Sequence, residues 1–529
     1  MLSFRYSLRI IDSNKTKQLF MNQLKAGAAL NYVSIVLNMV VGLIYTPFML
    51  RMLGQSEYGL YSLAASIIAY LTVLDLGFGN AIVRYTAKFR AEDKRREQEE
   101  MFGMFLVLYI VIGVAAMVAG GVLSLNVENL FSRSMSETEV SRTRVMLWLM
   151  TFNLAFTFPM SIWGSIMTAY ERFVFQRLVS IVRSVLNPVV MVLLLVVGYK
   201  AIAMVVVTTV FNVATLLINW WYCKNHLSIK MRFGRFQWGF LKEVSIYSFW
   251  IFLNAIMDRI YWSTGQFVLG VYRGAVAISV YAIAIQLQSM YMMFSMAISN
   301  VFLPRVTAMI TRENNERQIS DMFIRTGRLQ YVVMAFILSA FIVFGRPFIQ
   351  LWAGKGYEDA YYICLMFFVP LTVPLIQNLG ITILQARNQM KFRSVLYVVI
   401  ALASLGLSIL LARPYGGYGC AFATSLALLL GQVLIMNIYY QRRQQLDIKK
   451  FWREIAKMSL VPIVLVCAGL YAANNLFANT ATVSFMVVAG AVFTIVYGVL
   501  FWHFSMNESE KDLFAAPAKQ IVARLRNKA

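Results

Sequence analysis

The sequence predicts an all-α integral membrane protein with about fourteen transmembrane helices, and three observations lead to this fold class. The 529 residues are 60% hydrophobic and 14% charged, with a mean hydropathy of +0.65, whereas soluble domains carry roughly 25% charged residues. Charge-free stretches recur that meet the length of about 20 residues needed to span a bilayer. The connections between these stretches alternate between strongly basic and nearly neutral.

The predicted helices follow the apolar stretches in chain order. The first takes most of the charge-free run 26–50, and the second ends at the basic residue Arg84. The last two share the charge-free run 458–507, with a turn near Asn474 and Asn475. The fourteen predicted helices cover residues 28–50, 59–84, 101–124, 145–168, 174–197, 201–222, 245–270, 275–304, 329–352, 359–384, 392–412, 417–440, 457–474 and 482–503.

The distribution of basic residues predicts the orientation. The connections on one side carry 37 lysines and arginines and those on the other side carry 8. By the positive-inside rule both termini are cytoplasmic. The net charge of +24 is then explained by attraction to the anionic inner leaflet, so we expect membrane lipids as partners and no nucleic acid. Three arginines remain inside predicted spans: Arg183, Arg259 and Arg346.

The chain contains an internal repeat. Residues 219–231 match 438–450, since each segment has aromatic residues at the end of a span, then basic residues, then Leu-x-Ile-Lys. Residues 169–177 likewise match 386–394, and YSLA at 61–64 matches YAIA at 281–284. Two six-helix lobes of the same orientation, related by a pseudo-two-fold axis along the membrane normal, are an architecture of alternating-access transporters.

This repeat predicts the domain organisation. Each lobe contains six helices, and two further helices follow the second lobe. The predicted segments are a cytoplasmic N-terminal segment (1–27), the N-lobe (28–222), a basic cytoplasmic linker (223–244), the C-lobe (245–440), a second cytoplasmic linker (441–456), helices 13 and 14 (457–503) and a cytoplasmic tail (504–529).

Three motifs resemble a known family. LGQSEYGLYSLA (53–64), DLGFGNAIVRY (75–85) and GGYGCAFAT (416–424) are similar to signatures of the bacterial polysaccharide-export and O-antigen-type flippases. These belong to the multidrug/oligosaccharidyl-lipid/polysaccharide (MOP) exporter superfamily. The resemblance implies a MATE-like fold in the bacterial inner membrane and transport of undecaprenyl-pyrophosphate-linked oligosaccharide through a cationic cavity. It also implies coupling to H⁺ or Na⁺ without another cofactor.

The arginines inside predicted spans are candidate substrate-binding residues. A cation at bilayer depth is costly and usually faces a cavity or a partner, and guanidinium groups bind pyrophosphate through bidentate, charge-assisted hydrogen bonds. Arg183, Arg259 and Arg346 are therefore candidates to line the cavity. The alternatives are a structural ion pair and, for Arg346, extension of the side chain to the membrane interface.

Asp75, Asp258 and Arg84 are candidates for coupling or gating. Asp75 lies in an otherwise apolar span, nine residues before Arg84. It could form a salt bridge that closes the cytoplasmic side, stabilise a helix pair, or bind the coupling ion. Asp258 is a candidate proton or sodium site or a structural partner of an arginine.

Other functions are open at this point. A cation-coupled multidrug exporter is disfavoured because residues 29–50 contain Asn31 and Asn38 but no acid, whereas drug exporters of the superfamily often have one in the first helix. A lipid II flippase and a membrane-embedded glycan polymerase or ligase are further alternatives. The four scattered cysteines predict neither disulfides nor a metal site. The expected function is that of a transporter rather than an enzyme. We expect the protein to be a monomer and to work beside a glycan polymerase or other polysaccharide-assembly proteins.

Overall fold

The computed structural model describes residues 2–234, 238–312, 315–387, 389–475 and 482–512, which are almost entirely helical. The helices of the first half are α1 (Leu2–Leu71), α2 (Phe78–Ala91), α3 (Arg95–Leu125), α4 (Val127–Phe131), α5 (Glu137–Ala169), α6 (Phe173–Val196), α7 (Ala201–Asn225) and α8 (Trp238–Tyr272). Those of the second half are α9 (Ala275–Arg312), α10 (Glu316–Trp352), α11 (Asp359–Ile376), α12 (Leu379–Ala386), α13 (Met390–Leu428), α14 (Met436–Arg443), α15 (Ile448–Asn475) and α16 (Val483–Phe504). The predicted tail extends outside the described residues after residue 512.

α1 and α13 each contain two helical segments separated by a non-helical glycine, as expected for two pairs of predicted helices. In α1 the bend is at Gly54 (φ 77°, ψ 172°), and in α13 it is at Gly416 (φ 57°, ψ −132°). Glycine takes such left-handed or mirror-β conformations without the steric cost that a Cβ atom adds. The helix that was expected to begin at residue 28 begins at Leu2.

The second predicted helix, 59–84, is wrong in its second half. α1 ends at Leu71, a 3₁₀ turn covers Thr72–Asp75, and α2 begins only at Phe78. The two residues before α2, Leu76 (φ 53°) and Gly77 (φ 73°), are both left-handed, and two such residues cannot continue a right-handed helix. Hydropathy did not reveal this break because the residues on both sides of it are apolar.

Eleven of the described helical segments are long and apolar enough to cross a membrane. Two of them, 33–91 and 390–443, contain the bends at Gly54 and Gly416. The eleven do not include α8, although it has 35 residues. An all-helical membrane fold is therefore confirmed, and the count of fourteen crossings stays a prediction.

The chain forms two compact units, residues 1–279 and 280–529. In the first unit α5 packs between α3 and α7, while α1 packs against α6 and α8. Most of α8, from residue 245 onward, is predicted in the C-lobe (245–440), and its first residues in the linker (223–244), whereas α8 packs within the first unit. In the second unit α15 and α16 pack on α10 around Val343, Met458 and Phe493. The two helices predicted to follow the second lobe thus share a hydrophobic core with a helix of that lobe.

The internal repeat is visible in the contacts of each unit. In the first unit Phe175 stacks on Tyr222 with ring centroids 4.1 Å apart. In the second unit Phe392 stacks on Tyr439, also at 4.1 Å, and both residues lie 217 positions after their counterparts. A stacked phenylalanine–tyrosine pair thus occurs at equivalent positions in both units, which supports the internal repeat.

Gly59 allows a close approach between α1 and the start of α9. A Cβ atom at this position would lie 1.9 Å from the carbonyl oxygen of Ala275. We expect Gly59→Ala to destabilise the first unit by about 1–3 kcal/mol, as overpacking does, in thermal unfolding of the detergent-solubilised protein. Gly406→Ala is the control, because a Cβ there meets nothing within 4 Å. If both variants unfold at the wild-type temperature, this close approach is not important for stability.

Candidate functional site

The first unit has a continuous polar face on α6. Gln176, Ser180, Arg183 and Asn187 are half-buried and follow one another at spacings of three or four residues, so they lie on one side of the helix. The carboxamide oxygen of Asn187 is buried without a hydrogen-bond partner among the described residues. A buried orphaned acceptor is costly, which indicates a surface built to receive further polar groups.

A second polar face lies on α5 and meets the first. Its half-buried members recur at helical spacing and are Asn153, Thr157, Ser161, Ser165 and Thr168. Near the connection between the two helices, the Thr168 hydroxyl donates to Oε1 of Gln176 at 3.2 Å. α6 otherwise packs mainly on α1 and α7, so the two faces are joined at this end.

Arg183 is the cation of this polar surface, and its partner is neutral. Its Nη1 donates to Oδ1 of Asn212 on α7 at 3.0 Å. The amide of Asn212 donates in turn to Asn153 at 2.8 Å and to Thr157 at 2.7 Å. Among the described residues Arg183 forms no ion pair. A guanidinium has five N–H donors, so most of its capacity to bind an anion is not used by Asn212.

The other predicted arginines do not share this environment. Arg259 is exposed on α8, where its neighbour Asp258 is exposed as well and has an interaction partner. Arg346 is exposed near the end of α10 in the second unit. Of the three candidates, Arg183 is the one that the structure places in a polar network across three helices.

Asp75 lies at the end of the 3₁₀ turn, where α1 gives way to α2. Its half-buried carboxylate is beside the Tyr109 side chain of α3 and the backbone of Gly77. The Tyr109 hydroxyl is buried, and no described residue is positioned to form a well-aligned hydrogen bond with it. Arg84, exposed on α2, lies over the Tyr85 ring at 5.8 Å. Asp75 therefore occupies a break between helices rather than a helix interior.

The first unit contains a buried ion pair that the sequence patterns do not predict. Glu57, from the motif that follows the bend in α1, is 5% exposed and is paired with Arg142 of α5. The backbone N–H of Ala201, the first residue of α7, also donates to Glu57 at 3.4 Å. The motif thus joins α1, α5 and α7 at one point. Its signal in the sequence was a single acidic residue in the short junction between two apolar stretches.

A second missed cluster holds α16 to the second unit. Arg328 is 6% exposed, and it contacts Glu510 at 2.6 Å and Glu454 at 2.8 Å. Its Nη2 also donates to the carbonyl of Ser505 at 3.2 Å. Arg328 lies just before the predicted helix 329–352, but α10 begins at Glu316 and includes it. In the described residues no group of three histidines, cysteines or acids is arranged to hold a metal.

Comparison with known proteins shows where the chain belongs. The family described as "Polysaccharide biosynthesis protein" matches residues 24–310. A putative O-antigen transporter of Shigella flexneri is 19% identical over 399 residues, which are 74% of this chain and 92% of that protein. The uncharacterized membrane protein EpsK of Bacillus subtilis (strain 168) is 19% identical over 426 residues, 78% of this chain and 82% of that protein.

Solved structures share the fold. The lipid II flippase MurJ in an inward closed conformation aligns with a TM-score of 0.69 and 17% identity, covering 93% of this chain and 99% of that one. An inward-facing MATE transporter of the MOP superfamily aligns with a TM-score of 0.63 and 12% identity, covering 79% and 99%. The fold of this chain is thus the one shared by MurJ and the MATE transporters. Because the family match spans more than half of its residues, this chain belongs to the polysaccharide biosynthesis protein family.

Proposed function

We propose that the protein is a flippase that moves undecaprenyl-pyrophosphate-linked oligosaccharide repeat units across the bacterial inner membrane by alternating access. The observation that carries this proposal is Arg183, a half-buried cation held by Asn212 and without an acidic partner among the described residues. An unneutralised guanidinium in a membrane-spanning helix favours an anionic substrate. Family membership and the transporter fold support the same class of substrate.

The polar faces of α5 and α6 suit both parts of such a substrate. Arg183 can bind pyrophosphate oxygens through parallel N–H donors. The hydroxyl and amide groups of Gln176, Ser180 and Asn187 can exchange hydrogen bonds with sugar hydroxyls. These groups carry no charge of their own, so they do not repel the pyrophosphate.

A deletion strain tests the proposed function. Loss of the gene is expected to remove surface polysaccharide and to cause undecaprenyl-linked repeat units to accumulate in the cytoplasmic leaflet, where mass spectrometry of extracted lipids detects them. Accumulation of lipid II instead would assign the protein to peptidoglycan precursors. Drug sensitivity with normal surface glycan would favour a multidrug exporter. Either of these two results would contradict our proposal.

We further propose that Asp75 couples transport to a H⁺ or Na⁺ gradient. Asp75 is the last residue of the turn that connects α1 and α2. A change of charge at Asp75 can therefore alter how these two helices are positioned. Asp75→Asn is expected to lower transport several-fold and to flatten its dependence on external pH or Na⁺, measured as repeat-unit flipping in proteoliposomes. Asp93→Asn is the control, since that side chain is 93% exposed. If Asp75→Asn transports at the wild-type rate and with an unchanged dependence on pH and Na⁺, neither coupling nor gating by Asp75 is correct.

We also propose that the protein works as a monomer with both termini in the cytoplasm, beside a glycan polymerase or other polysaccharide-assembly proteins. The excess of basic residues on one side of the predicted spans supports this orientation.

A further inference from the structure

A cavity of about 490 Å³ opens in the first unit where α6 turns into α7. This volume is within the range of sites for small ligands. Tyr199 and Lys200 line it from the turn between α6 and α7, Glu57 of α1 and Arg142 of α5 add two charges, and its remaining members are apolar. The lining residues are Glu57, Arg142, Leu194, Tyr199, Lys200, Ile202, Ala203, Val206 and Val207.

The surface around the cavity is suited to contact with lipid. Leu193 of α6, Val197 just after it and Val210 of α7 belong to the segments that line the cavity, and they are 60%, 73% and 59% exposed. In a membrane protein such side chains are directed to the hydrocarbon, since water would make their exposure costly. Tyr199, 57% exposed at the turn, combines an apolar ring with a polar end, as residues at the membrane interface do. The cavity therefore opens at the boundary between hydrocarbon and headgroups.

The polar end of the cavity has one cation in excess. Glu57 is paired with Arg142 and accepts the N–H of Ala201. Lys200 lines the same cavity, and within the described parts of the chain it takes part in no ion pair. The three charged side chains thus sum to a single positive charge beside an apolar cavity.

We propose that this cavity binds an anionic phospholipid of the bilayer, with the phosphodiester at Lys200 and an acyl chain along Leu194 and Val206. One excess positive charge matches the single negative charge of a phosphodiester such as that of phosphatidylglycerol. A pyrophosphate carries more negative charge than this site neutralises. The charge balance therefore favours the anionic phospholipid over the undecaprenyl-pyrophosphate-linked oligosaccharide. This site is separate from the polar faces of α5 and α6 and does not depend on the proposed transport activity.

Native mass spectrometry of the full-length protein tests the proposal. The detergent-solubilised wild type is titrated with phosphatidylglycerol, phosphatidylethanolamine or undecaprenyl pyrophosphate. We expect phosphatidylglycerol to bind most tightly and Lys200→Ala to weaken it about five-fold, which corresponds to about 1 kcal/mol per basic residue at a membrane surface. Val206→Trp, which fills the apolar part, is expected to weaken it at least as much. Lys355→Ala is the control, because Lys355 is also predicted on the sparsely charged side but does not line the cavity.

The outcomes separate the alternatives. Equal binding of phosphatidylglycerol by the wild type, Lys200→Ala and Val206→Trp would overturn the proposal, as would tighter binding of undecaprenyl pyrophosphate than of phosphatidylglycerol. Arg183→Met is expected to bind phosphatidylglycerol as the wild type does, even though its transport is impaired. If Arg183→Met loses phosphatidylglycerol binding to the same extent as Lys200→Ala, the two sites are not independent and the assignment to Lys200 fails.

Discussion

Replacing Arg183 by methionine is expected to abolish surface polysaccharide while the protein remains folded and in the membrane. Methionine has a similar length and helix propensity, so the substitution removes the charge with little change of volume. A hydrogen bond to a charged group contributes about 1.5–3 kcal/mol, which corresponds to roughly ten- to hundred-fold in transport rate. The measurement is repeat-unit flipping in proteoliposomes, with surface glycan staining in complemented deletion cells.

Three further variants make this experiment specific. Arg177→Met removes an exposed arginine from the same helix and is expected to transport normally. Arg183→Lys keeps the charge but loses the planar donors, so an intermediate rate is expected. Asn212→Asp would give Arg183 a carboxylate in place of the amide that it contacts at 3.0 Å. That variant is expected to be as defective as Arg183→Met, and normal transport by both would exclude Arg183 as a substrate contact.

Arg328→Met is expected to be the most destabilising single substitution in the second unit. It would leave Glu510, which is 1% exposed, buried without its cation. Breaking a buried pair by removing one partner costs about 3–5 kcal/mol. Because Glu510 follows α16 and Glu454 lies on α15, the loss should first release these two helices from α10. Thermal unfolding in detergent, with limited proteolysis of the C-terminal region, measures both effects.

Two controls distinguish the buried pair from surface charge. Lys457 contacts the same Glu454 at 2.7 Å but is 64% exposed, and Lys457→Ala is expected to cost less than about 1 kcal/mol. Combining Arg328→Met with Glu454→Leu and Glu510→Leu is expected to recover much of the lost stability, since apolar replacement of a buried ionic cluster is often neutral. If the triple variant is as unstable as Arg328→Met alone, the unpaired carboxylates are not the cause.

Much of the helical architecture was accessible from the sequence because it depends on local composition. Apolar stretches of spanning length predicted α3, α5, α6 and α7 to within several residues at each end. The repeat was accessible as well, since equivalent aromatic residues occupy equivalent span ends. What hydropathy could not predict was the break at Thr72–Gly77, because it depends on the backbone conformation of two residues in an apolar context.

The residues of the candidate site could be predicted only in part from the sequence. Arg183 could be selected because a cation within a span is unusual whatever surrounds it. Its neutral partner Asn212 could not be selected, since the two residues lie on different helices and many polar residues occur in spans. Glu57 and Arg328 were missed for a related reason: each lies near a predicted helix end, where charge is common and is usually solvated.

The sequence by itself determined that this chain is a helical membrane protein with an internal repeat and motifs similar to those of a polysaccharide-export family. The helical membrane fold follows from the free-energy cost of placing polar groups in hydrocarbon. This cost applies to each residue of a span independently of its tertiary contacts, so the sequence alone reveals it. Only the tertiary structure decided which polar residues are paired. Arg183 meets an amide, whereas Arg142 and Arg328 meet buried carboxylates. The physical reason is that neutralisation depends on distances of a few ångströms between helices that are far apart in the chain.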